Sequence, residues 1–192
     1  MKKITFILTA FIALTAFTVA VSTWQNDPPH SQLGFTVTHL GINDVSGTFN
    51  DFNIKATASK PDFSDAKFEL TAKIASIDTR VEARNNHLKS PDFFDADKFP
   101  EMTFKSTSLK NNGKDTYLLT GNLTLHGITK PVVLNLKYRG TTQNPMSKKT
   151  TAGFQFEGII KRSDFNVGST FQDSFISDKV SFKVDGEFLQ KE

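Results

Sequence analysis

The chain has 192 residues, a formal net charge of +3 and no cysteine. The lack of thiols excludes disulfide bonds, Cys-ligated zinc or iron–sulfur sites, and thiolate catalysis. Its 19 Phe stand against only 2 Tyr and 1 Trp, which indicates apolar packing surfaces rather than a polar recognition surface, because Phe has no hydrogen-bonding group. A content of 38% hydrophobic and 22% charged residues is typical of a globular chain, and the length favours one domain.

The first twenty residues have the pattern of a secretory signal peptide. Lys2 and Lys3 precede an uncharged apolar run over residues 4–20 that ends in small residues. We predict a signal peptide over 1–20, with cleavage after Ala20 or, as a second candidate, after Ser22, and a single domain over 21–192. An uncleaved membrane anchor is the rival interpretation, but the run falls below the roughly 20 residues that comfortably span a bilayer. The expected location is periplasmic or secreted.

The remaining chain carries little net charge. Without Lys2 and Lys3 the formal charge falls from +3 to +1, and no block of basic residues is left to neutralise a phosphate backbone. Nucleic acid is therefore not an expected partner.

Alternation of apolar and polar residues dominates the chain after the signal peptide and predicts half-buried antiparallel strands. The clearest runs are 33–38, 67–74, 132–139, 154–160 and 180–188. Further strands are predicted over 45–56, where a change of apolar parity indicates a bulge, and over 102–109 and 117–125. Asn112-Gly113 predicts a hairpin turn, and the polar stretch 139–151 predicts a mobile loop.

About eight strands predict an all-β fold. An antiparallel array of that size removes its exposed edges most completely by closing into a barrel. A two-sheet sandwich would show the same alternation, so both architectures remain open at this point.

One segment has helical spacing instead. Val81, Arg84 and Leu88 fall on one face of a helix, and Ser90-Pro91 ends it and begins a second short turn, which gives a short helical insertion around residues 80–98. Because Arg84 shares that apolar face, we expect it to be partly buried with a carboxylate partner, Asp78 or Asp95. It either fixes the helix to the barrel or binds an anionic head group.

No motif for catalysis or metal binding occurs in the sequence. A Gly-x-Ser-x-Gly elbow, a phosphate-binding glycine loop, a His-Glu-x-x-His pair and an EF-hand loop are all missing. The four histidines are scattered, and we interpret them as hydrogen-bonded residues at strand ends. We predict no catalytic residue, no metal and no cofactor.

Several motifs, in order along the chain, resemble the YceI-like polyisoprenoid-binding proteins. They are DPPHS at 27–31, FTVTHLG at 35–41, SIDT at 76–79, RNNHLKSPDFFD at 84–95, GNLTLHGITKPV at 121–132 and RSDF at 162–165. Two positions depart from the family pattern: Asn85 stands where an acidic residue is common, and Asn166 stands where a Gly often occurs. Neither departure falls on an apolar strand position.

The resemblance implies an antiparallel lipocalin-like barrel that is exported to the periplasm and holds a long-chain isoprenoid lipid in its cavity. The ligand would be of the polyisoprenoid or isoprenoid-quinone type, in transport, storage or sequestration. The resemblance brings no catalytic residues, so we predict a binding protein and not an enzyme. Two alternatives stay open: an enzyme that modifies such a lipid, with His39, His87 or His126 moving a proton, and a stress-related interaction module. Transient membrane contact for lipid exchange is a further expectation, and the oligomeric state, a homodimer included, is undetermined.

Strand parity predicts the residues that face the cavity. The inward set comprises Leu33, Phe35, Val37, Phe49, Phe68, Leu70, Phe104, Leu123, Leu134, Leu136, Phe154, Phe156, Phe182 and Val184. For each of these, core packing is as plausible as ligand contact, because the closed end of a barrel must also be filled. Polar residues expected either near the lipid head group or in structural roles are His39, Arg84, His87 and Arg162. By contrast, Phe93, Phe94, Phe99 and Phe165 lie in loop motifs and are expected to clamp those segments to the barrel.

Overall fold

A computed structural model describes residues 20–191 of the chain. The signal peptide predicted over 1–20 therefore lies, apart from Ala20, outside the described residues. The strands are β1 (Ser22–His39), β2 (Asn43–Phe49), β3 (Phe52–Ala58), β4 (Lys67–Lys73), β5 (Ile77–Asp78), β6 (Glu101–Asn111), β7 (Thr116–Leu125), β8 (Ile128–Gln143), β9 (Thr150–Lys161) and β10 (Lys179–Lys191). One helix, α1 (Glu82–Lys89), and short 3₁₀ turns at Ile74–Ser76 and Arg162–Phe165 complete the described part.

The strands form a closed antiparallel barrel, which decides between the barrel and the sandwich. Each long strand pairs with the next along the chain, and β10 returns to pair with β1, with Leu33 opposite Val184 and Phe35 opposite Phe182. The ring of paired strands is thus closed, and eight strands form the barrel wall, with the short β5 added beside β2. The all-β lipocalin-like fold with one short helical insertion is confirmed.

The strand predicted over 45–56 is divided into β2 and β3. Both halves pair with β1, with Phe49 opposite Leu33 and Ala56 opposite Trp24. Together they act as one bent strand of the barrel wall. The interruption is two residues long and not a one-residue bulge. Asn50 donates its backbone N–H to the carbonyl of Ser76, and Asp51 accepts from the N–H of Lys73, so their backbone groups are satisfied outside the ladder.

The connections are shorter than the sequence suggests. The Asn112-Gly113 hairpin is confirmed, with residues 112–115 joining β6 to β7. The polar stretch predicted as a loop over 139–151 is mostly strand, because β8 continues to Gln143 and β9 begins at Thr150. Polar residues occur there because the outer strand surface faces water.

One end of the barrel is filled by aromatic side chains. Phe154 is fully buried and makes edge-on contacts with Phe63, Phe68 and Phe188, at ring-centroid distances of 4.9, 5.4 and 5.0 Å. Trp24 packs edge-on against Phe63 at 5.1 Å. Such edge-to-face pairs stabilise a core beyond their buried area, and they close this end. No helix among residues 20–191 is long and apolar enough to cross a membrane.

Candidate functional site

The other half of the barrel encloses a cavity of about 510 Å³. Its wall is made mainly by inward-facing apolar side chains of the strands, with Arg84, His87 and Leu88 contributed by α1. Among its lining residues, Asn43, His87 and Phe175 are solvent-exposed, so the cavity opens to solvent at this end. A volume of this size is typical of a pocket for one small ligand.

Most of the residues predicted from strand parity lie on the cavity wall. Twelve of the fourteen do so: Leu33, Phe35, Val37, Phe49, Phe68, Leu70, Phe104, Leu123, Leu134, Phe156, Phe182 and Val184. The period of two in a strand therefore identifies the face of the barrel that surrounds the cavity. Contact of these residues with a ligand stays a prediction.

Leu136 and Phe154 are corrections, because neither borders the cavity. They have inward parity, but they lie in the packed end of the barrel, where Leu136 pairs with Phe156 across β8 and β9 and is 2% exposed. The alternation of residues along a strand shows which side chains point into the barrel. It does not show how far along the barrel axis each side chain lies. We therefore assign both side chains to the core.

Two segments outside the strands also line the cavity. The helical insertion provides Leu88, Phe93 and Phe94. The segment that joins β9 to β10, residues 162–178, which we call the cover segment, provides Phe171 and Phe175 among others. The expectation that Phe93 and Phe94 only clamp a loop is therefore incomplete, since they also face the cavity.

The two segments meet through their aromatic rings. Phe93 stacks on Phe171 with ring centroids 4.9 Å apart, and Phe171 lies parallel to Phe175 at 6.1 Å. His87 contacts Phe93 edge-on at 5.0 Å. No periodic pattern in the sequence predicts these contacts, because neither segment is a regular strand.

Arg162 organises the cover segment from inside. It is 6% exposed, and its guanidinium donates to the backbone carbonyls of Val167, Gly168, Phe171, Ile176 and Ser177. No carboxylate among the described residues forms a salt bridge with it. A buried cation that is paired only with carbonyl dipoles holds the loop around itself, so the structural role fits Arg162 well.

The start of the cover segment is held by Asp178. Its carboxylate accepts from the backbone N–H and the hydroxyl of Ser163, both at 2.9 Å. Burial tends to raise the pKa of this carboxyl, but the two Ser163 hydrogen bonds and the nearby charges of Arg162 and Lys161 together hold its pKa below the usual value. Next in the chain, Asn166 adopts a left-handed conformation, with φ 56° and ψ 28°. This conformation favours Gly and is tolerated by Asn, so Asn166 fits the backbone at a position where the sequence departs from the expected Gly.

Arg84 lies on the cavity wall without the carboxylate partner that we expected. Its Nε donates to Thr79 Oγ1 at 2.8 Å and its Nη2 donates to the Thr79 carbonyl at 2.7 Å. Asp78 instead accepts from the Arg80 N–H and from Asn85 Nδ2, and these bonds lower the pKa of Asp78, while Asp95 pairs with Lys98. Arg84 is thus half-buried, held by one threonine, and free of any salt bridge that the described residues show.

Asn85 links α1 to Asp78 and Thr79. Its side-chain Nδ2 donates to Asp78, while its Oδ1 accepts from the backbone N–H of Thr79 at 2.8 Å and from the Thr79 hydroxyl at 2.6 Å. A carboxylate at this position could accept from Thr79 but could not donate to Asp78. The amide therefore joins the start of α1 to β5 by bonds in both directions.

The three histidines considered for proton transfer differ in their position relative to the cavity. His39 and His87 line the cavity near its opening, where His39 contacts Phe175 edge-on at 5.2 Å and His87 Nε2 lies 3.1 Å from Asp92 Oδ2. His126 lies away from the cavity, in the turn between β7 and β8, with its Nδ1 3.2 Å from the carbonyl of Phe165. His126 therefore drops out of the proposed proton-transfer residues.

The charged side chains that line the cavity are all basic. The charged side chains among its lining residues are Arg84 and Arg162, and no Asp or Glu of the described chain lines it. His39, His87, Asn43 and Thr79 supply the other polar side chains. The cavity is therefore a mainly apolar space whose polar lining includes two cationic side chains and no carboxylate of the described residues.

Comparisons with known proteins agree with this architecture. The YceI-like domain matches residues 24–188. The chain is similar to a UPF0312 protein of Photorhabdus laumondii, with 40% identity over 169 residues that cover 86% of this chain and 87% of that protein. It is also similar to the crystal structure of a Campylobacter jejuni YCEI protein, with a TM-score of 0.74 and 33% identity over 81% of this chain and 90% of that one.

A more distant structure shares the fold. It is described as a polyisoprenoid binding domain from Saccharophagus degradans and matches with a TM-score of 0.64 and 15% identity, covering 91% of this chain and all of that one (100%). At this identity the likeness shows the fold alone. The domain match and the relatives together cover most of the barrel, and on that basis the chain belongs to the YceI-like family.

Proposed function

We propose that this protein binds a long-chain isoprenoid lipid in the barrel cavity and carries, stores or sequesters it without chemical change. The observation that carries the proposal is the cavity itself: a mainly apolar space of about 510 Å³ with His39, Asn43 and His87 near its opening. An apolar chain with a polar head matches this division. The description of the Saccharophagus degradans domain as polyisoprenoid-binding supports the same ligand class.

The cavity size limits how much of the chain is enclosed. At about 30 Å³ per non-hydrogen group, which is the share of a water in the liquid, 510 Å³ holds roughly 17 groups, or about three isoprene units. Burying fifteen carbons at about 0.8 kcal/mol each gives roughly 12 kcal/mol, from which association subtracts about 4 kcal/mol or more. Micromolar binding needs about 8 kcal/mol, so apolar burial can supply it. A longer chain extends through the opening.

Arg84 is the side chain we propose for contact with the lipid head. It has donors to spare, because two hydrogen bonds to Thr79 leave part of its guanidinium fork unused. Arg162 already donates to five carbonyls and has less capacity for a ligand. An oxygen-rich head group, such as a phosphate or a quinone ring, would accept from Arg84, with His39 and His87 nearby.

We further propose that lipid enters and leaves at a membrane surface. Leu40, Ile42 and Phe175 are 49%, 86% and 45% exposed, and exposed apolar side chains grouped at one place mark a surface for lipid or protein contact. They surround the opening, because His39 and Asn43 on either side of the β1–β2 turn line the cavity and Leu40 donates its N–H to the Phe175 carbonyl. The signal peptide predicted over 1–20 supports a place outside the cytoplasm, in the periplasm or secreted.

The proposal is tested by extracting the purified protein with organic solvent and analysing the extract by mass spectrometry. We expect an isoprenoid lipid in amounts approaching one per chain. An altered lipid after incubation would support the enzyme alternative, for which His39 and His87 remain at the cavity. Protein that carries no lipid and takes up none from added isoprenoids would contradict the proposal and favour an interaction module.

A further inference from the structure

Four residues form one row across the inner surface of neighbouring strands. Gly47 on β2 lies opposite Phe35 on β1, Phe35 lies opposite Phe182 on β10, and Phe182 lies opposite Gly158 on β9. Both phenylalanines line the cavity. Phe35 precedes His39 by four residues on β1, which at about 3.3 Å per residue is roughly 13 Å along the strand.

Each ring of this row occupies the space above its neighbouring glycine. A Cβ placed on Gly158 would lie 2.8 Å from Phe182 Cζ and 2.8 Å from Leu134 Cδ2. A Cβ placed on Gly47 would lie 2.5 Å from Phe35 Cζ and 2.8 Å from Thr79 Cγ2. The two rings therefore lean in opposite directions, Phe35 toward β2 and Phe182 toward β9, and both border the cavity.

Backbone conformation does not require glycine at these positions. Gly41, Gly113, Gly127, Gly140 and Gly168 have positive φ values between 58° and 130°, but Gly47 and Gly158 do not. A strand interior also disfavours glycine, because it loses more conformational entropy than other residues. The absence of a side chain is consequently the property that these two positions use.

We infer that Gly47 and Gly158 determine the width of the cavity and thereby its selectivity for a methyl-branched isoprenoid chain over a straight acyl chain. This inference rests on the proposed function, since it concerns the same cavity. Carbon atoms approach favourably to about 3.5 Å, so a methyl group at Gly158 displaces the Phe182 ring by roughly 1 Å. Because Phe182 borders the cavity, we expect the displaced ring to move into it. A branched chain loses more than a straight one, because its methyl groups need that width.

Gly158→Ala is the cleaner variant, because the atoms it meets belong to the apolar side chains of Phe182 and Leu134. Gly47→Ala also pushes on Thr79, which holds Arg84, so it serves as the second variant. Gly34→Ala is the matched control: its Cβ would meet only Gly47 O at 3.6 Å and Lys183 O at 3.9 Å, which are ordinary contacts.

The experiment measures dissociation constants of farnesol and palmitate for the full chain and the variants, with thermal unfolding recorded for each. For Gly158→Ala we expect roughly 10-fold weaker farnesol binding and less than 3-fold weaker palmitate binding, in line with the discrimination that one methylene gives in an apolar pocket. Gly34→Ala should bind both like the wild type. Phe182→Leu in the Gly158→Ala background should restore farnesol binding, because the shorter side chain removes the collision.

The outcomes separate this inference from the proposed function. If the wild type binds neither probe, the proposed function fails. If the wild type binds farnesol and Gly158→Ala binds both probes with unchanged selectivity, the width inference fails alone. It also fails if Gly158→Ala loses both probes equally and Phe182→Leu does not rescue farnesol, because the glycine then serves folding and not width.

Discussion

Arg162 offers the sharpest test of how the cover segment is held. Arg162→Met keeps most of the apolar stem but removes the guanidinium, which donates to five backbone carbonyls of residues 167–177. Hydrogen bonds from a charged donor contribute about 1.5–3 kcal/mol each, but they act together on one segment and are not additive. Arg162→Met leaves these carbonyls without their donor, and each unsatisfied buried polar group costs about 1–3 kcal/mol, so the total after the segment relaxes is about 3–5 kcal/mol.

We therefore expect Arg162→Met to lower the free energy of unfolding by about 3–5 kcal/mol. For a domain of this size that corresponds to a decrease in Tm of roughly 6–20 °C. Arg139→Met is the matched control, because Arg139 is 53% exposed and pairs only with Asp185 at 3.1 Å. Loss of an exposed ion pair should cost less than about 1 kcal/mol.

Urea unfolding followed by circular dichroism measures both variants, and hydrogen exchange reports on the cover segment. Amides of residues 166–177 should exchange faster in Arg162→Met, while those of the β6–β7 hairpin should change little. If Arg162→Met costs no more than Arg139→Met, or if the cover segment keeps its protection, the assignment of Arg162 as its central support is wrong.

Three further predictions follow from the site. Arg84→Met should weaken binding of a prenyl phosphate at least 10-fold while changing the midpoint of urea unfolding little; a large loss of stability with unchanged affinity would make Arg84 structural only. Phe154→Ala should cost about 3–5 kcal/mol in urea unfolding because it empties the packed end, yet folded protein should still bind lipid; lost binding in stable protein would place Phe154 in the site. The pKa of Asp178 is lower in the folded than in the unfolded protein, so its stabilising effect should be present at neutral pH and disappear as the pH falls through the folded-state pKa. Wild type and Asp178→Asn should therefore differ in stability at pH 7 and converge at low pH, and a constant difference would contradict this.

Strand parity predicted the wall of the cavity well and its depth poorly. Phe156 and Phe154 have the same parity on β9, but Phe156 borders the cavity and Phe154 fills the closed end. Their difference depends on where aromatic side chains from distant strands meet, such as Phe63 and Phe188 around Phe154. A local period of two carries no information about such long-range packing.

The irregular segments show a different limit. Arg84 was predicted to be partly buried from its helical spacing, which is correct, but the predicted carboxylate partner was wrong, because its guanidinium donates to Thr79 instead. Phe171 and Phe175 were not predicted as lining residues, since the cover segment takes its shape from Arg162 and not from a repeating pattern. Side chains that act through tertiary hydrogen bonds are recognised only when the chain is folded.

The central claim is that an isoprenoid occupies the interior of the barrel, and native mass spectrometry tests it most directly. Delipidated protein is mixed with a polyprenyl ligand, and the masses of wild type and Phe156→Trp are compared; Phe156 borders the cavity, so the larger ring should obstruct it. The account predicts one ligand per wild-type chain and a strongly reduced bound fraction in the variant, with both proteins folded. No bound ligand on the wild type, or equal binding by a folded Phe156→Trp, would contradict it.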